Sequence, residues 1–414
     1  MRSYNEILAE YNQFKAKGLK LDMSRGKPSA EQLDTMEGLL TAVTENSQCY
    51  AENGFDCRNY GIPDGINEAK RLFASILGVN ESNIFVGGNS SLKLMYDSVV
   101  RALLLGVEDG CKPWSSYDKI SFLCPVPGYD RHFAICEYLN INMINIPMDK
   151  NGPDMDMIEK LVAEDETIKG CWCVPKYSNP TGITFSDDVV RRFASLRPKA
   201  KDFRIFWDNA YALHDLSEEP DVILDIFSEA QAHGNEDMFY EFASTSKITY
   251  AGAGISCVAS SKKNIERIAK SYSFQTIGYD KLNQLRHAKQ FPDVEAVKKQ
   301  MHRHRDIILP KFETVFRIFR ERFAYYSDIS WTEPKGGYFI SLSLPKNTAK
   351  RVVQLAKEAG LVITPAGATH PYGKDPDDSV IRIAPTFPTV KELETAAPLL
   401  CCCAELAIAE IKFV

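Results

Sequence analysis

Between about residues 84 and 260, short apolar segments alternate with stretches of helical periodicity. The apolar segments are NIFVGG, KISFLCP, INMINIP, GCWCVP, FRIFWD, FYEFAS and GISCVAS. Strands that alternate with helices predict an α/β domain, with a mostly parallel central sheet and helices on both faces. A chain of 414 residues is too long for one simple core, so we expect a second domain.

After residue 300 the pattern changes to a long helix (302–323), the segment GGYFISLSLP, a helix near 347–359, and the segments LVITPAG and VIRIAPTF. This order predicts a smaller α+β unit. Apolar residues at the N-terminus recur at helical spacing, and nothing in residues 1–45 resembles a sheet strand. We therefore expect residues 1–45 and 301–414 to form one small domain split between the chain ends, and residues 46–300 to form the large domain.

Charge and composition exclude several classes of protein. The net charge is −6 and the basic residues are scattered, so no nucleic-acid partner is expected. The N-terminus has no long apolar core of the kind that a signal peptide carries, and no apolar run approaches the length of a membrane span, which favours a cytoplasmic protein. The eleven cysteines lack further Cys or His at ligand spacing, so we expect buried thiols and no metal site.

Four of the apolar segments are followed by polar residues that could form a binding site. They lead into Asn89-Ser90-Ser91, Asn179-Pro180-Thr181-Gly182, Asp208 with Tyr211 after it, and Lys247. Ligands of open α/β sheets bind at the carboxyl ends of the strands, so these side chains are candidate site residues. Each alone is also compatible with a turn, a helix cap or a solvated lysine.

Together with three further elements, these residues form an ordered set that covers nearly the whole chain. The set is Tyr60-Gly61, Gly88-Asn89-Ser90-Ser91, Pro127-Gly128-Tyr129, Asn179-Pro180-Thr181-Gly182, Asp208-x-x-Tyr211, Ser244-x-Ser246-Lys247 and Arg382. It resembles the fold-type I pyridoxal-phosphate aminotransferases. The N-terminal segment SRGKPSAEQLD resembles the aspartate aminotransferase branch that is related to the effector domains of MocR-type regulators.

The resemblance implies pyridoxal 5′-phosphate as the cofactor. A lysine has an unperturbed pKa of about 10.4, and burial lowers it enough for the amine to attack an aldehyde. Lys247 is expected to hold the cofactor as an imine and then to carry the substrate proton. Asp208 is expected to pair with the pyridine nitrogen and preserve the ring as an electron sink. Asn179 and Tyr211 would bond the ring oxygen, and Tyr129 would stack on the ring.

For the cofactor phosphate, the resemblance implies Asn89, Ser90 and Ser91 at a helix start, with hydroxyls from Ser244 and Ser246. Tyr60 would come from a neighbouring subunit, which implies a homodimer with shared active sites.

The family commonly has an arginine soon after the lysine, and KITYAGAGIS has none. The glycines of this segment allow a neutral cradle that Ser256 would complete, and Lys176 or Lys262 would be alternatives.

Arg382 lies among apolar residues, so it needs an anionic partner: an internal carboxylate or, as the family implies, the substrate α-carboxylate. Gly26 would let the backbone close over that group. Arg25 is our candidate for a distal carboxylate, with Lys27 and Arg131 as alternatives. The leading substrates are aspartate and 2-oxoglutarate in a ping-pong reaction; alanine or an aromatic amino acid is possible.

Three alternative functions share some of these features. A pyridoxal-phosphate lyase or decarboxylase would also use Lys247 and Asp208. A ligand-sensing regulator domain would carry a DNA-binding module ahead of this fold, and here the fold is expected to start almost at Met1. A Rossmann dehydrogenase is suggested by Gly252-x-Gly254, but the third glycine and the acidic residue that should follow are absent.

Overall fold

The structure is a computed structural model that describes residues 2–412. The strands are β1 (Leu21–Asp22), β2 (Ile84–Val86), β3 (Ser121–Val126), β4 (Asn142–Asp149), β5 (Gly152–Pro153), β6 (Ile168–Cys173), β7 (Arg204–Asp208), β8 (Phe239–Ser244), β9 (Ser256–Ala259), β10 (Ser330–Trp331), β11 (Ile340–Ser343), β12 (Leu361–Val362) and β13 (Val380–Ile383). The helices are α1 (Tyr4–Ala16), α2 (Ala30–Asp34), α3 (Glu37–Leu40), α4 (Asn67–Leu77), α5 (Ser91–Leu105), α6 (Asp130–Tyr138), α7 (Met155–Glu164), α8 (Asp187–Ser195), α9 (Ile226–Ala232), α10 (Lys262–Tyr272), α11 (Lys281–Gln290), α12 (Val294–Arg322), α13 (Ala349–Glu358) and α14 (Val390–Lys412).

The central sheet has eight strands in the order β2-β9-β8-β7-β6-β3-β4-β5. The pairs among β8, β7, β6, β3 and β4 are parallel, and the pairs that involve β9 and β5 are antiparallel. Every residue of β6 and β7 is buried, as expected for strands that are covered on both faces. The predicted α/β fold with a mostly parallel sheet is confirmed, and the carboxyl ends of β6, β7 and β8 lie side by side.

A smaller antiparallel sheet has the order β10-β11-β13. One apolar core joins it to both ends of the chain: Ile7, Tyr11 and Phe14 of α1 pack with residues of α12, α13 and α14. Ser3 and Glu6 form a capping box that starts α1. The long helix α12 begins at Val294, earlier than the predicted start at residue 302, because the side chain of Asp293 caps it by accepting from Ala296 N.

The expectation that residues 1–45 contain no sheet strand is wrong. Leu21 and Asp22 form β1, which pairs in parallel with β12. Leu21 N donates to Gly360 O at 2.9 Å, and Gly360 must be glycine because its φ is +86° and a Cβ would lie 1.9 Å from Leu19 O. A strand of two residues is too short to show the alternation from which strands are predicted.

We propose that the two sheets mark two domains: residues 46–300, and residues 1–45 with 301–414. The helix α12 runs through the boundary at residue 300, and the chain ends at residues 1, 413 and 414 lie outside the described residues.

Within residues 2–412, every helix is too short or too polar to cross a bilayer. All eleven cysteines are free thiols.

Candidate active site

A cavity of about 220 Å³ lies at the carboxyl ends of β6, β7 and β8. The residues that border it are Gly26, Ser90, Ser91, Leu92, Met95, Tyr129, Val174, Asn179, Asp208, Ala210, Tyr211, Ser244, Ser246, Lys247 and Phe339. Most of the site residues that the sequence predicts are in this set. The fold therefore brings together side chains that are more than 200 positions apart along the chain, between Gly26 and Lys247.

Lys247 lies in the turn that follows β8, and its Nζ is 4.8 Å from the centroid of the Tyr211 ring. Burial lowers the pKa of the Lys247 ammonium, and the negative charge of Asp208 opposes part of this effect. The turn is held against the glycine-rich segment, since a Cβ at Gly254 would lie 2.8 Å from Thr245 Oγ1. An amine that burial makes easier to deprotonate is suited to nucleophilic attack on a carbonyl.

Asp208 ends β7 and is 3% exposed. Its Oδ2 is 3.0 Å from His132 Nε2, and the His132 ring stacks on Trp172 with ring centroids 4.5 Å apart. Its Oδ1 is buried and has no hydrogen-bond partner within the described residues. A buried carboxylate oxygen without a donor costs free energy, so this atom fits a ligand that brings a positively charged N–H group into the cavity.

Two phenols and an amide surround the space between Asp208 and Lys247. Burial raises the pKa of Tyr211 well above its usual range, with further contributions from Tyr129 and Asp208. Burial also raises the pKa of Tyr129 to about 12. Both side chains therefore stay protonated near neutral pH and can donate hydrogen bonds. Asn179 is 4% exposed and borders the same cavity.

The opposite wall of the cavity is formed by small neutral groups. Ser244 Oγ and Ser246 Oγ are 2.9 Å apart, and Ser246 Oγ donates to Asn89 O at 3.4 Å. Ser90 is the N-cap of α5 and Ser91 is its first residue. A helix start with free N–H groups and hydroxyls beside it attracts anions, so this wall fits a phosphate.

Arg382 lies in β13 and is 7% exposed. Its guanidinium donates to Asp130 Oδ1 at 2.6 Å and to Asn179 Oδ1 at 3.3 Å, and it lies over the ring of Phe339. In the structure, the anionic partner of Arg382 is thus an internal carboxylate, one of the two possibilities that the sequence left open. Gly26 packs on the same ring, where a Cβ would lie 2.4 Å from Phe339 Cζ, so a residue with a side chain would displace the ring.

Comparison with known proteins agrees with this geometry. Residues 2–413 match the family model described as aspartate amino-transferase. The chain belongs to the aspartate aminotransferase family.

An aspartate aminotransferase of Corynebacterium glutamicum is 44% identical over 407 residues, which is 98% of this chain and 94% of that protein. The crystal structure of an aspartate transaminase from the same species superposes with a TM-score of 0.96 at 43% identity, over 99% of this chain and 96% of that one. An α-aminoadipate aminotransferase of Thermus thermophilus, solved with N-(5′-phosphopyridoxyl)-L-leucine, shares the fold with a TM-score of 0.77 at 17% identity, over 97% and 95% of the two chains. The protein is thus an aminotransferase with the fold of the pyridoxal-phosphate enzymes, and the predicted family is confirmed.

Several residues of this aminotransferase were not predicted from the sequence. His132 contacts Asp208, Asp130 contacts Arg382, and Phe339 covers both Arg382 and Gly26. Asp130 and His132 closely follow Tyr129 in the segment GYDRHF, and this proximity to a predicted site residue could have indicated that they belong to the site. Contacts between distant side chains are not visible in the periodicity of a strand or helix.

Other predicted residues lie outside the cavity of this chain. Tyr60 is 77% exposed, and Arg25 is also exposed. Lys176 Nζ donates to Asp215 Oδ1 at 2.8 Å and does not border the cavity. Lys262 is exposed at the start of α10.

Ser256 also has a partner already, since its Oγ donates to Gly88 O at 2.8 Å. The side chain of Asn89 is exposed and donates to Gly252 O at 3.2 Å, so at this wall Asn89 contributes its backbone carbonyl. Within residues 2–412, no three His, Cys, Asp or Glu side chains come close enough to hold a metal ion.

Proposed function

We propose that this aminotransferase uses pyridoxal 5′-phosphate bound in the cavity at the ends of β6, β7 and β8. The observation that carries the proposal is the pairing of a lysine whose pKa burial lowers with a buried carboxylate oxygen that has no donor. Lys247 would bind the cofactor covalently, and Asp208 Oδ1 would accept from its ring N–H. Asn179 and Tyr211 would bond the ring oxygen, and Tyr129 would cover the ring face.

The phosphate would lie against the neutral wall formed by Ser90, Ser91, Ser244, Ser246 and the backbone of Asn89. The residues that border the cavity include no arginine, and Lys247 is their only lysine. Backbone N–H groups, hydroxyls and the dipole of α5 would therefore compensate the phosphate charge.

When bound, the cofactor supplies an electron sink for the bond that is broken at the substrate Cα. The chain's own residues would move the proton, hold the Asp208 carboxylate and donate hydrogen bonds. Once the substrate amine has replaced it on the cofactor, Lys247 Nζ would take the proton from Cα and pass it to the cofactor's former aldehyde carbon, as a base whose pKa is lowered by burial. His132 holds the Asp208 carboxylate in place through its contact with Oδ2, and stacking on Trp172 fixes the His132 ring. Tyr211, which stays protonated, acts as a hydrogen-bond donor.

For the substrate, we propose that Arg382 binds the α-carboxylate, with Gly26 allowing the backbone to close over it. Its guanidinium is 7% exposed and contacts Asn179 and Phe339, two residues that border the cavity, which suits this task. Aspartate as donor and 2-oxoglutarate as acceptor, in a ping-pong order, are the proposed substrates. The 44% identical relative that is named aspartate aminotransferase supports aspartate.

We also propose that the enzyme is a homodimer in which Tyr60 reaches the phosphate of the partner subunit. Tyr60 is 77% exposed in the single chain, and the large apolar side chains of Phe274 (85%) and Ile277 (63%) are exposed as well. Gly278 packs closely on Gly61 O, so Ile277 and Tyr60 belong to neighbouring segments, and exposed large apolar side chains that lie together are typical of an interface. A cytoplasmic location stays a prediction of the sequence.

The proposal is tested with purified protein by absorbance, borohydride reduction and peptide mass spectrometry. A visible absorbance band that borohydride bleaches, with the cofactor mass fixed on Lys247, is expected, and Lys247→Ala should lose both. Lys281→Ala is the matched control, because burial lowers the pKa of this lysine too, yet Lys281 Nζ binds Tyr279 O and does not border the cavity. A cofactor mass on Lys281, or none on Lys247, would contradict the proposal.

A second measurement separates an aminotransferase from a lyase or decarboxylase on the same fold. With the amino donor alone, the enzyme should release one equivalent of 2-oxo acid per site and retain the cofactor as pyridoxamine phosphate. Continuous turnover of the donor without an acceptor would favour the lyase.

A further inference from the structure

Next to Lys247 lies the tyrosine of the segment GGYF, Tyr338, which does not itself border the cavity. A Cβ at Gly336 would lie 2.1 Å from the ring of Tyr177, and Gly337 has a φ of +82°. Gly337 N donates to His214 O at 2.9 Å, which fixes the segment to the loop after β7. The two glycines therefore let the chain pass close over Tyr177, and Tyr338 follows directly as a buried side chain that is 1% exposed.

Tyr338 connects the lysine turn to the N-terminal segment. Its Oη donates to the main-chain carbonyl of Lys247 at 3.4 Å and accepts from Gln32 Nε2 at 2.8 Å. Its ring centroid lies 6.0 Å from that of Tyr211 and 6.0 Å from Lys247 Nζ. Burial raises the pKa of Tyr338 above its usual range, so the hydroxyl keeps its proton and remains a donor.

Gln32 is itself held firmly. It is fully buried in α2, and its Oε1 accepts from Ser29 N at 3.1 Å. Ser29 follows Gly26, the glycine that borders the cavity, by three positions.

Polar contacts also tie α2 to α12. Thr35 Oγ1 lies 3.2 Å from His304 Nε2 and accepts from Gln300 Nε2 at 2.6 Å. Burial lowers the pKa of His304 to about 4, so this contact stays uncharged at neutral pH.

We propose that Tyr338 is a positioning residue of the reaction and that Gln32 is its partner: together they set where the backbone of Lys247 stands relative to the cavity. The proposal rests on the reactive role proposed for Lys247. Neither side chain borders the cavity, and the centroid of the Tyr338 ring is 6.0 Å from Lys247 Nζ, so the two act through the lysine turn. Their hydrogen bonds join three separate segments of the chain at the carbonyl of the one residue whose amine must meet the substrate Cα.

The test is Tyr338→Phe, which keeps the ring and removes the hydroxyl. Loss of the anchor should let the lysine turn shift, and small misplacements of a reacting group cost rate more than binding, so kcat should fall about tenfold with KM within about twofold. In the cofactor-free protein, hydrogen exchange of the peptide that spans residues 245–250 should be faster. Its amides are protected by turn bonds such as Thr249 N to Thr245 O at 2.8 Å.

Tyr11→Phe is the matched control, because Tyr11 Oη also donates to a buried carbonyl, Leu355 O at 3.0 Å, in the core far from the cavity. It should lower stability and leave kcat and the exchange of peptide 245–250 unchanged. Gln32→Met alone should lower kcat less than Tyr338→Phe, and the double variant should equal Tyr338→Phe, since both act through one hydroxyl.

Tyr338→Phe with wild-type kcat and exchange, or an additive double variant, would overturn the proposal. A failure of the proposed function is a different result: no cofactor would be attached to Lys247 even in the unaltered enzyme.

Discussion

The lysine end and the arginine end of the candidate site are built in different ways. At the lysine end, Asp208 ends β7, Tyr211 and Lys247 follow β7 and the adjacent β8, and burial shifts the pKa of the lysine and of the tyrosine. At the arginine end, Arg382 already binds the carboxylate of Asp130, whose side chain is 33% exposed, and Arg25 is exposed. The lysine end is therefore organised before any ligand arrives, whereas the proposed binding of the substrate α-carboxylate by Arg382 would require this arginine to release Asp130. Residues that carry the reaction need fixed positions, whereas residues that select the substrate can exchange partners.

The largest effect is expected from Asp208→Asn at the lysine end. Removing a buried charge that faces the reacting group should lower kcat by about 10²- to 10³-fold, measured by steady-state kinetics with aspartate and 2-oxoglutarate. Asp202→Asn is the control, since Asp202 is also a buried carboxylate, paired with Lys169 at 2.7 Å away from the cavity. It should lower stability and spare kcat. A loss below tenfold for Asp208→Asn would mean that the lysine end does not depend on this charge.

The next effect, on stability, tests how strongly burial shifts the pKa of Glu241, a carboxyl group close to the lysine end. Glu241 in β8 is 4% exposed and accepts from Asn209, the residue after Asp208, at 2.9 Å. Burial raises the pKa of Glu241 from 4.5 to about 8. The folded state therefore holds a proton that the unfolded state releases, so this stabilisation is present below pH 4.5 and is lost as the pH rises through 8.

The measurement is chemical denaturation of the unaltered protein and of Glu241→Gln across this pH window. The unaltered protein should lose up to about 5 kcal/mol of unfolding free energy across the whole window, and the variant should lose much less because glutamine does not titrate. Parallel pH dependence in both proteins would show that Glu241 is ionised when folded.

The contrast between the two ends also explains which parts of the site could be predicted from the sequence and which could not. Asp208 ends a strand of the parallel sheet, and Lys247 and Asn179 each follow one. Such strand ends lie along one edge of the sheet, so the proximity of the three residues could be predicted from local pattern. The pair of Asp130 with Arg382 joins positions 252 residues apart, and it depends on the direction of two side chains. Neither periodicity nor turn chemistry contains that information, and the same holds for the two-residue strand β1.

Asp130→Asn tests whether the arginine end exchanges partners. If the substrate carboxylate displaces Asp130, removing its charge should lower KM for the amino donor by up to about fivefold, the range of a partly exposed ion pair, and leave kcat unchanged. Asp187→Asn is the control, because Asp187 opens α8 as Asp130 opens α6, yet it is remote from Arg382 and pairs with Arg191. A rise in KM for Asp130→Asn would instead show that Asp130 orients the guanidinium.

The smallest effect concerns the distal carboxylate of the substrate. Arg25 adjoins Gly26, which borders the cavity, whereas Lys27 Nζ lies 3.8 Å from the centroid of the Phe387 ring. Arg25→Ala should therefore lower kcat/KM about threefold for aspartate, the effect of an exposed charge pair, and should spare alanine, which has no distal carboxylate. Arg131→Ala, at the other candidate arginine, which is also exposed, is the comparison variant and should spare both substrates. Equal losses on aspartate and alanine would rule out Arg25 as the distal cation, and a selective loss in Arg131→Ala would move that role to α6.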